Sequence, residues 1–379
     1  KSSEEQMEFI RWHALSSYTR WNEYLTKRGF NVLEFHHNLP HVELKWAEED
    51  QFCPKKENEI FQIGIEKIKR FNPDIIFCSS ANFYINSNFI TELISVLPQR
   101  PKLVSWYGAN CGDDRIFRNF DLTLSNSKHL VNELYKKKIS ADLLQHSFEP
   151  AVLDKIKIPE RRINKLGFLG NLDAYTSDFK ERNKLLLQIS EIENILQVYG
   201  TVHKPKTLER LKYSAIKGRH NFSRTLSGLF PFDILKEWSL IGNLPPSPWP
   251  LEKMFCQKVK PPLFGQEMLQ TLSNYQIAFN YHNKHTGDNA CNMRLFEATG
   301  VGCCLLTDHK SDICSIFEPG LEIITYKNPS EAIDKAKYLL NNRKTAHEIA
   351  KAGQQKTFLE HTTEKQVDHF VYYLNNLWN

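Results

Sequence analysis

The chain has 379 residues, 41% of them apolar, 12% aromatic and 25% charged, with a formal net charge of +5. That length is long for one core and suits two domains. No apolar run is long enough to span a bilayer, "KSSEEQMEFI" does not read as a signal peptide, and so mild a charge falls short of a nucleic-acid footprint. The charge fits a protein that handles acidic ligands or rests against an anionic membrane surface. The eight cysteines include no C-x-x-C pair, and Cys303 and Cys304 adjoin inside an apolar run. This is neither a zinc site nor a disulfide framework, and it points to a reducing cytoplasm.

In chain order, "EEQMEFIRWHALSSYTRWNEYLTKRG" carries apolar residues at helical spacing and predicts one helix stopping at Gly29. "FNVLEF" predicts a short strand, "EIFQIGIEKIKRFN" an amphipathic helix and "PDIIFCSS" a buried strand. A helix ("NSNFITELISVLPQ"), two strands ("PKLVSWYG", "DLTLSN") and a helix capped by Ser127 ("SKHLVNELYKKK") follow. Alternation of this length argues for a parallel sheet covered by helices on both faces. Such a domain normally opens with a strand. Here a helix comes first and the first residue is Lys, so the sequence reads as part of a longer polypeptide or assembly.

"EPAVLDKIKIPERRIN" reads as a linker, after which a second α/β series begins with "KLGFLGN", "ERNKLLLQISEI" and "NILQVYG". Residues 201–262 are rich in Pro and aromatics and give no clear assignment. Order returns with "GQEMLQTLSNY" (helix), "QIAFNYH" (strand), "NMRLFEATGV" (helix), "CCLLTD" and "EIITY" (strands) and "NPSEAIDKAKYLLNN" (helix). The amphipathic "HTTEKQVDHFVYYLNNLW" closes the chain. Two parallel-sheet domains imply ligand binding at the carboxyl ends of the strands.

"QIAFNYHNKH" runs from a strand into a loop, which puts Asn280, His282 and Asn283 at such an end. Arg294 and Glu297 then stand three apart on one face of the next helix, near its start. A helix N-terminus attracts phosphate, an Arg beside it can grip a diphosphate, and a carboxylate one turn on can accept both hydroxyls of a ribose. The spacing equally suits an ordinary surface ion pair. "LGFLGN" resembles a phosphate-cradling turn but lacks the full glycine fingerprint, and a plain strand-to-helix turn fits it as well.

The stretch "NMRLFEATGVGCCLLTDHKSDICSIFEPGLEIITYKNPSEAIDKAKYLLNN" resembles the C-terminal signature of glycosyltransferases with the GT-B fold. It is similar in particular to the group related to spore-maturation protein CgeB and the "glycosyl transferases group 1" domain. The match is close over roughly residues 275–365, about a quarter of the chain, and looser through "SWYGANCGDD", "LSNSKHLVNEL" and "LQHSFEPAVL". The resemblance implies an α/β chain of two Rossmann-like domains with an interdomain cleft and a C-terminal crossing helix. On this sequence the expected parts are an N-terminal acceptor domain (1–152), a linker (153–163), a nucleotide-sugar domain (164–360) and a helix (361–379) packing back on the first domain. Carried over, Glu297 holds the ribose and Arg294 the diphosphate, Gly170 and Asn171 line the cleft, and Tyr199 and Gly200 flank the base. Retaining members carry a Glu eight residues before the second one. Here Asn289 stands at that position with Asp288 beside it, which leaves the stereochemistry open.

The chemistry needs charge on the leaving diphosphate neutralised and, in an inverting reaction, a base for the acceptor's proton. No D-x-D motif lies in a suitable place, so no metal and no cofactor is expected. Asp114 is the favoured base over its neighbour Asp113, with His146 as a second catalytic candidate that also faces the donor. Arg182 and Lys180 are further diphosphate candidates. A turn carboxylate, a packed histidine or a solvated charge would account for any one of these equally well.

The expectation is a cytoplasmic, metal-independent glycosyltransferase moving a sugar from a nucleotide-sugar donor to a glycan or lipid-linked glycan. Bacterial surface-polysaccharide synthesis is its natural setting, with no nucleic-acid partner. The first helix can rest on lipid, at the inner face of the membrane, or bury its Trp and Phe against the sheet. The alternatives are a nucleotide-sugar epimerase of the same fold and a non-catalytic nucleotide- or sugar-binding domain.

Overall fold

A computed structural model describes residues 1–14, 19–79, 87–108, 115–170, 172, 180–192, 195–201, 207–208, 211–212, 214–218, 259–282 and 287–378. The strand pairings described are all parallel, and the strands fall in two sheets, of four and six strands. Two compact units divide the chain: Lys1–Ile163 with Phe264–Asn379, and Asn164–Leu263.

The first unit opens with α1 (Ser3–Ala14) and α2 (Trp21–Thr26), where the periodicity had predicted one continuous helix. A turn at Thr19–Arg20 comes just before α2. Gly29 adopts φ +85 after α2, a left-handed conformation that suits glycine. Next come α3 (Pro40–Glu49) and α4 (Glu59–Phe71). Asn72 ends α4 in the left-handed region and Pro73 prevents its continuation.

Then β1 (Ile75–Cys78), α5 (Ser87–Ser95), β2 (Lys102–Trp106), β3 (Leu122–Ser125), α6 (Lys128–Lys136) and β4 (Ala141–Leu143) build a sheet of order β1-β2-β3-β4. Its register aligns Ile76 with Leu103, and Val104 with Leu122. Alternate residues feed two cores. Leu103 and Tyr107 join Ile90, Phe117, Leu130 and Leu134 on one face, while Val104, Leu122 and Leu124 join Trp21 on the other.

"FNVLEF" forms no strand. Residues 31–35 make no backbone–backbone hydrogen bond among the described residues. Extended chain becomes a strand only through a paired neighbour.

The remainder of the first unit holds α8 (Gly265–Ser273), β8 (Tyr275–Phe279), α9 (Met293–Gly300), β9 (Cys304–Asp308), β10 (Ile324–Tyr326), α10 (Pro329–Asn341), α11 (Arg343–Glu360) and α12 (Thr363–Asn375). Its strands run in the order β10-β9-β8, every residue of β8 and β9 buried. A side-chain cap starts α10: Asn328 Oδ1 accepts from Glu331 N at 3.0 Å, and Glu331 accepts from Lys327 N at 2.7 Å, with Pro329 in the first turn. α12 lays Val367, Phe370 and Leu374 onto the Trp21 face of the β1–β4 sheet. There Gln366 accepts from Trp21 Nε1 at 3.2 Å and from Ser147 Oγ at 2.9 Å.

The second unit contains β5 (Ile163–Leu169), which starts one residue before it, and then α7 (Lys180–Ser190), β6 (Leu196–Tyr199) and β7 (Val259–Lys260), with strand order β5-β6-β7. The end of β5 passes so close to the end of β6 that a Cβ on Gly200 would collide with the Gly170 carbonyl oxygen. Glycine is required there by space alone.

Candidate functional site

The first unit brings its polar groups together where β3, β4, β8 and β9 end. Parallel strands deliver backbone ends and following loops to one side, so these polar residues converge by topology. Asn126 follows β3 directly. Its Nδ2 donates to His146 Nε2 at 2.9 Å and to the Cys291 carbonyl at 2.9 Å, tying the β3 and β4 ends to the loop that enters α9. One residue pair further, Asn289 Oδ1 accepts from His129 N at 2.6 Å and from Ser127 Oγ at 3.5 Å. Ser127 does occupy the N-cap position of α6, but its side chain makes no capping bond. The cap comes from Asn289, 160 residues away in sequence. Asn289 thereby ties the start of α6 to the loop that enters α9.

At the β8 and β9 ends, Asp308 is the organising group. Its Oδ1 accepts from His282 N at 2.8 Å and from His282 Nδ1 at 2.8 Å, and Lys310 Nζ stands 3.4 Å from Oδ2. Burial alone would raise this carboxyl. The imidazole and main-chain bonds of His282, with the Lys310 charge, outweigh it and hold Asp308 below its ordinary value. Asn280 is spent internally: Nδ2 donates to Thr307 Oγ1 at 2.9 Å and Oδ1 accepts from Asn292 Nδ2 at 3.2 Å. Asn292, the N-cap residue of α9, therefore turns its amide onto Asn280 and the Tyr281 carbonyl and makes no side-chain bond to the helix it precedes.

Arg294 and Glu297 sit on the first turns of α9, joined at 2.9 Å, each side chain 15% exposed. Arg294 Nη2 also reaches Met268 Sδ at 3.4 Å. The pair is thus neither a solvated surface bridge nor sealed in the core. His146 is half-buried beside Trp106, ring centroids 5.5 Å apart, and desolvation of its ring pushes its pKa down to about 4, so it is neutral at physiological pH. Three side-chain atoms in these loops, Asn126 Oδ1, His146 Nδ1 and His282 Nε2, are buried with no hydrogen-bond partner among the described residues. Buried polar groups are nearly always paired, so each orphan calls for water or a ligand.

In the second unit, Gly170 N donates to the Tyr199 carbonyl at 3.0 Å, and Lys260 Nζ lies 5.2 Å above the Tyr199 ring. Arg182 is buried with its guanidinium 5.4 Å from the Phe168 ring centroid, next to Asn183. Of the expected site residues, Asp114, Asn171 and Asn283 lie outside the described residues. The sequence reading passed over Asp308, Asn126 and Lys310. All three follow or end a parallel strand, and that position was the available signal.

Residues 219–371 match the family model described as "Glycosyl transferase-like". No curated protein matches the chain. Among solved structures, a glycosyltransferase from Rickettsia africae is similar at 11% identity and TM-score 0.53, over 89% of this chain and 88% of that one. Anabaena HepE in complex with UDP is similar at 9% identity and TM-score 0.52, over 94% and 89%, and HepE in complex with UDP-glucose at 9% and 0.52, over 89% of each. No described helix is long and apolar enough to cross a membrane. Residues 219–371 thus carry a glycosyl transferase-like domain, and the chain shares its fold with these glycosyltransferase structures.

Proposed function

We propose that this chain transfers a sugar from a nucleoside-diphosphate sugar to a hydroxyl of a glycan or lipid-linked glycan. One observation carries the reading: a guanidinium and a carboxylate held 2.9 Å apart, partly buried, on the opening turns of α9. The first N–H groups of a helix together with Arg294 suit a diphosphate, and Glu297 suits the two hydroxyls of a ribose. The orphaned His282 Nε2, fixed by Asp308 through its other nitrogen, offers a third polar contact. HepE was solved with UDP and with UDP-glucose, which supports uridine as the first nucleotide to try.

In the proposed step the bond from the anomeric carbon to the diphosphate oxygen breaks, and its electron pair leaves on the diphosphate. The acceptor oxygen bonds to the same carbon and gives up its proton. Arg294 and the α9 terminus neutralise the leaving charge. Asp114 is the proposed base. Neutral His146, whose Nε2 is engaged by Asn126, acts as a donor-facing contact and not as the proton acceptor. Surface-polysaccharide assembly remains the proposed setting.

Titration calorimetry with UDP, and release of UDP from UDP-glucose on adding an acceptor glycan, test the assignment. Glu297→Gln is expected to weaken UDP binding at least about tenfold, the loss of roughly 1.5 kcal/mol for a charge-assisted bond. If neither UDP nor any other nucleoside diphosphate binds, or if the variant binds like the parent, the reading fails. Isomerised UDP-sugar formed without acceptor would mark an epimerase in its place.

A further inference from the structure

Asn126 and His146 follow two neighbouring strands, Asn126 directly behind β3 and His146 shortly after β4. A single amide nitrogen joins them to a third segment. Asn126 Nδ2 lies 2.9 Å from the Cys291 carbonyl oxygen and 2.9 Å from His146 Nε2. A carbonyl oxygen can only accept, so the amide group facing Cys291 has to be the NH2 and not the oxygen. That nitrogen has only protons to offer. His146 Nε2 therefore accepts from it, and the one proton of the neutral ring sits on Nδ1. Free histidine prefers the opposite tautomer. An imidazolium is disfavoured for the same reason, because it would set one donor against another, and desolvation agrees by pushing the ring down to about 4.

One donor and one acceptor are left over. His146 Nδ1 and Asn126 Oδ1 are buried atoms with no hydrogen-bond partner among the described residues, and Asn126 as a whole is 6% exposed. The diphosphate of a nucleotide sugar cannot serve both, because its oxygens carry no proton at neutral pH and only accept. Sugar hydroxyls can, since each one donates and accepts. A buried polar atom left unpaired is costly, so a ligand lacking the matching hydroxyl loses more here than at an exposed contact. The chain order points the same way. Cys291, which orients the Asn126 amide, stands just ahead of α9, and Arg294 and then Glu297 follow on the helix. With the ribose at Glu297 and the diphosphate at Arg294, the next group of a nucleotide sugar falls on the Cys291 side.

We propose that Asn126 is a positioning residue that fixes His146 as its Nδ1–H tautomer, and that Asn126 Oδ1 and His146 Nδ1 together hold hydroxyls of the transferred sugar. The choice of ligand rests on the function proposed above. The tautomer does not, since it follows from the Cys291 carbonyl and the chemistry of one amide.

Long-range nitrogen–proton NMR of histidine-labelled protein reads the tautomer directly, with the His146 signal assigned by its loss in His146→Phe. The parent is expected to carry the ring proton on Nδ1. In Asn126→Asp, whose carboxylate can only accept, Nε2 is expected to become protonated. Calorimetry then compares UDP-glucose with UDP. Asn126→Asp and His146→Phe are each expected to weaken UDP-glucose about tenfold more than UDP, the loss of one or two ordinary hydrogen bonds. A parent ring protonated at Nε2 overturns the proposal, and that measurement stands even if Asn126→Asp fails to fold. Equal losses for the two ligands in His146→Phe, or no loss for either, overturn the sugar contact. A parent that does not bind UDP is a separate failure: it overturns the function proposed above and with it the sugar as ligand, while the spectrum still decides the tautomer.

Discussion

The Asp308–His282 contact allows the sharpest quantitative prediction. Asp308→Ala removes the acceptor of two buried donors, His282 N and His282 Nδ1, each held at 2.8 Å. Orphaning a buried donor costs about 1–3 kcal/mol, so the single variant is expected to lose roughly 2–6 kcal/mol of unfolding free energy. His282→Ala removes only the imidazole, since its main-chain N–H can still donate to Asp308. A double-mutant cycle over the two positions therefore isolates the Nδ1 bond to an ionised carboxylate, expected at about 1.5–3 kcal/mol. Urea unfolding at pH 7 measures all four proteins. If the two single losses add to within about 0.5 kcal/mol of the double variant, the side chains are independent and the reasoning is refuted. UDP titration of Asp308→Asn supplies the functional half. Asparagine keeps an acceptor but loses the charge that fixes the imidazole tautomer, so stability recovers in part while UDP affinity stays reduced.

Three further expectations follow from the packing. Asn289→Ala removes the cap on α6 and is expected to cost about 1 kcal/mol, read by urea unfolding, with faster exchange confined to the start of that helix. Gly200→Ala forces a Cβ against the Gly170 carbonyl oxygen and is expected to cost about 1–3 kcal/mol in thermal or urea unfolding. Glu34 titrates low: burial alone would raise it, but the nearby His36 imidazole, the hydrogen bond from Asn22 and the charge of Arg11 bring it to about 2. Its folded value lies below its unfolded one, so its stabilisation is present above the ordinary carboxylate value and is lost as pH falls through the window down to about 2. Unfolding free energy of Glu34→Gln against the parent should converge at the acid end of that window.

Local signals served well where a residue's role depends on its near neighbours. The helical periods of "EIFQIGIEKIKRFN" and "NPSEAIDKAKYLLNN" and the apolar runs of β8 and β9 were all legible. Each rests on burial within a few residues or on one hydrophobic period. Three readings went differently for a common reason. "FNVLEF" has the alternation of a strand and no paired neighbour. Ser127 sits where a cap belongs, yet Asn289 supplies the bond from across the molecule. Asn280, expected to face a ligand, spends its amide on Thr307 and Asn292. In each case the deciding partner is distant in sequence.

The sequence by itself determined the alternation of helices and strands, the parallel sheets that follow from it, and the Arg294–Glu297 spacing on α9. These depend on periodicity and on the geometry of one helix. Only the tertiary structure decided that Asp308 organises His282 and that Asn126 joins His146 to Cys291. Hydrogen-bond partners dozens of residues apart are chosen by how strands line up, and no local pattern carries that information.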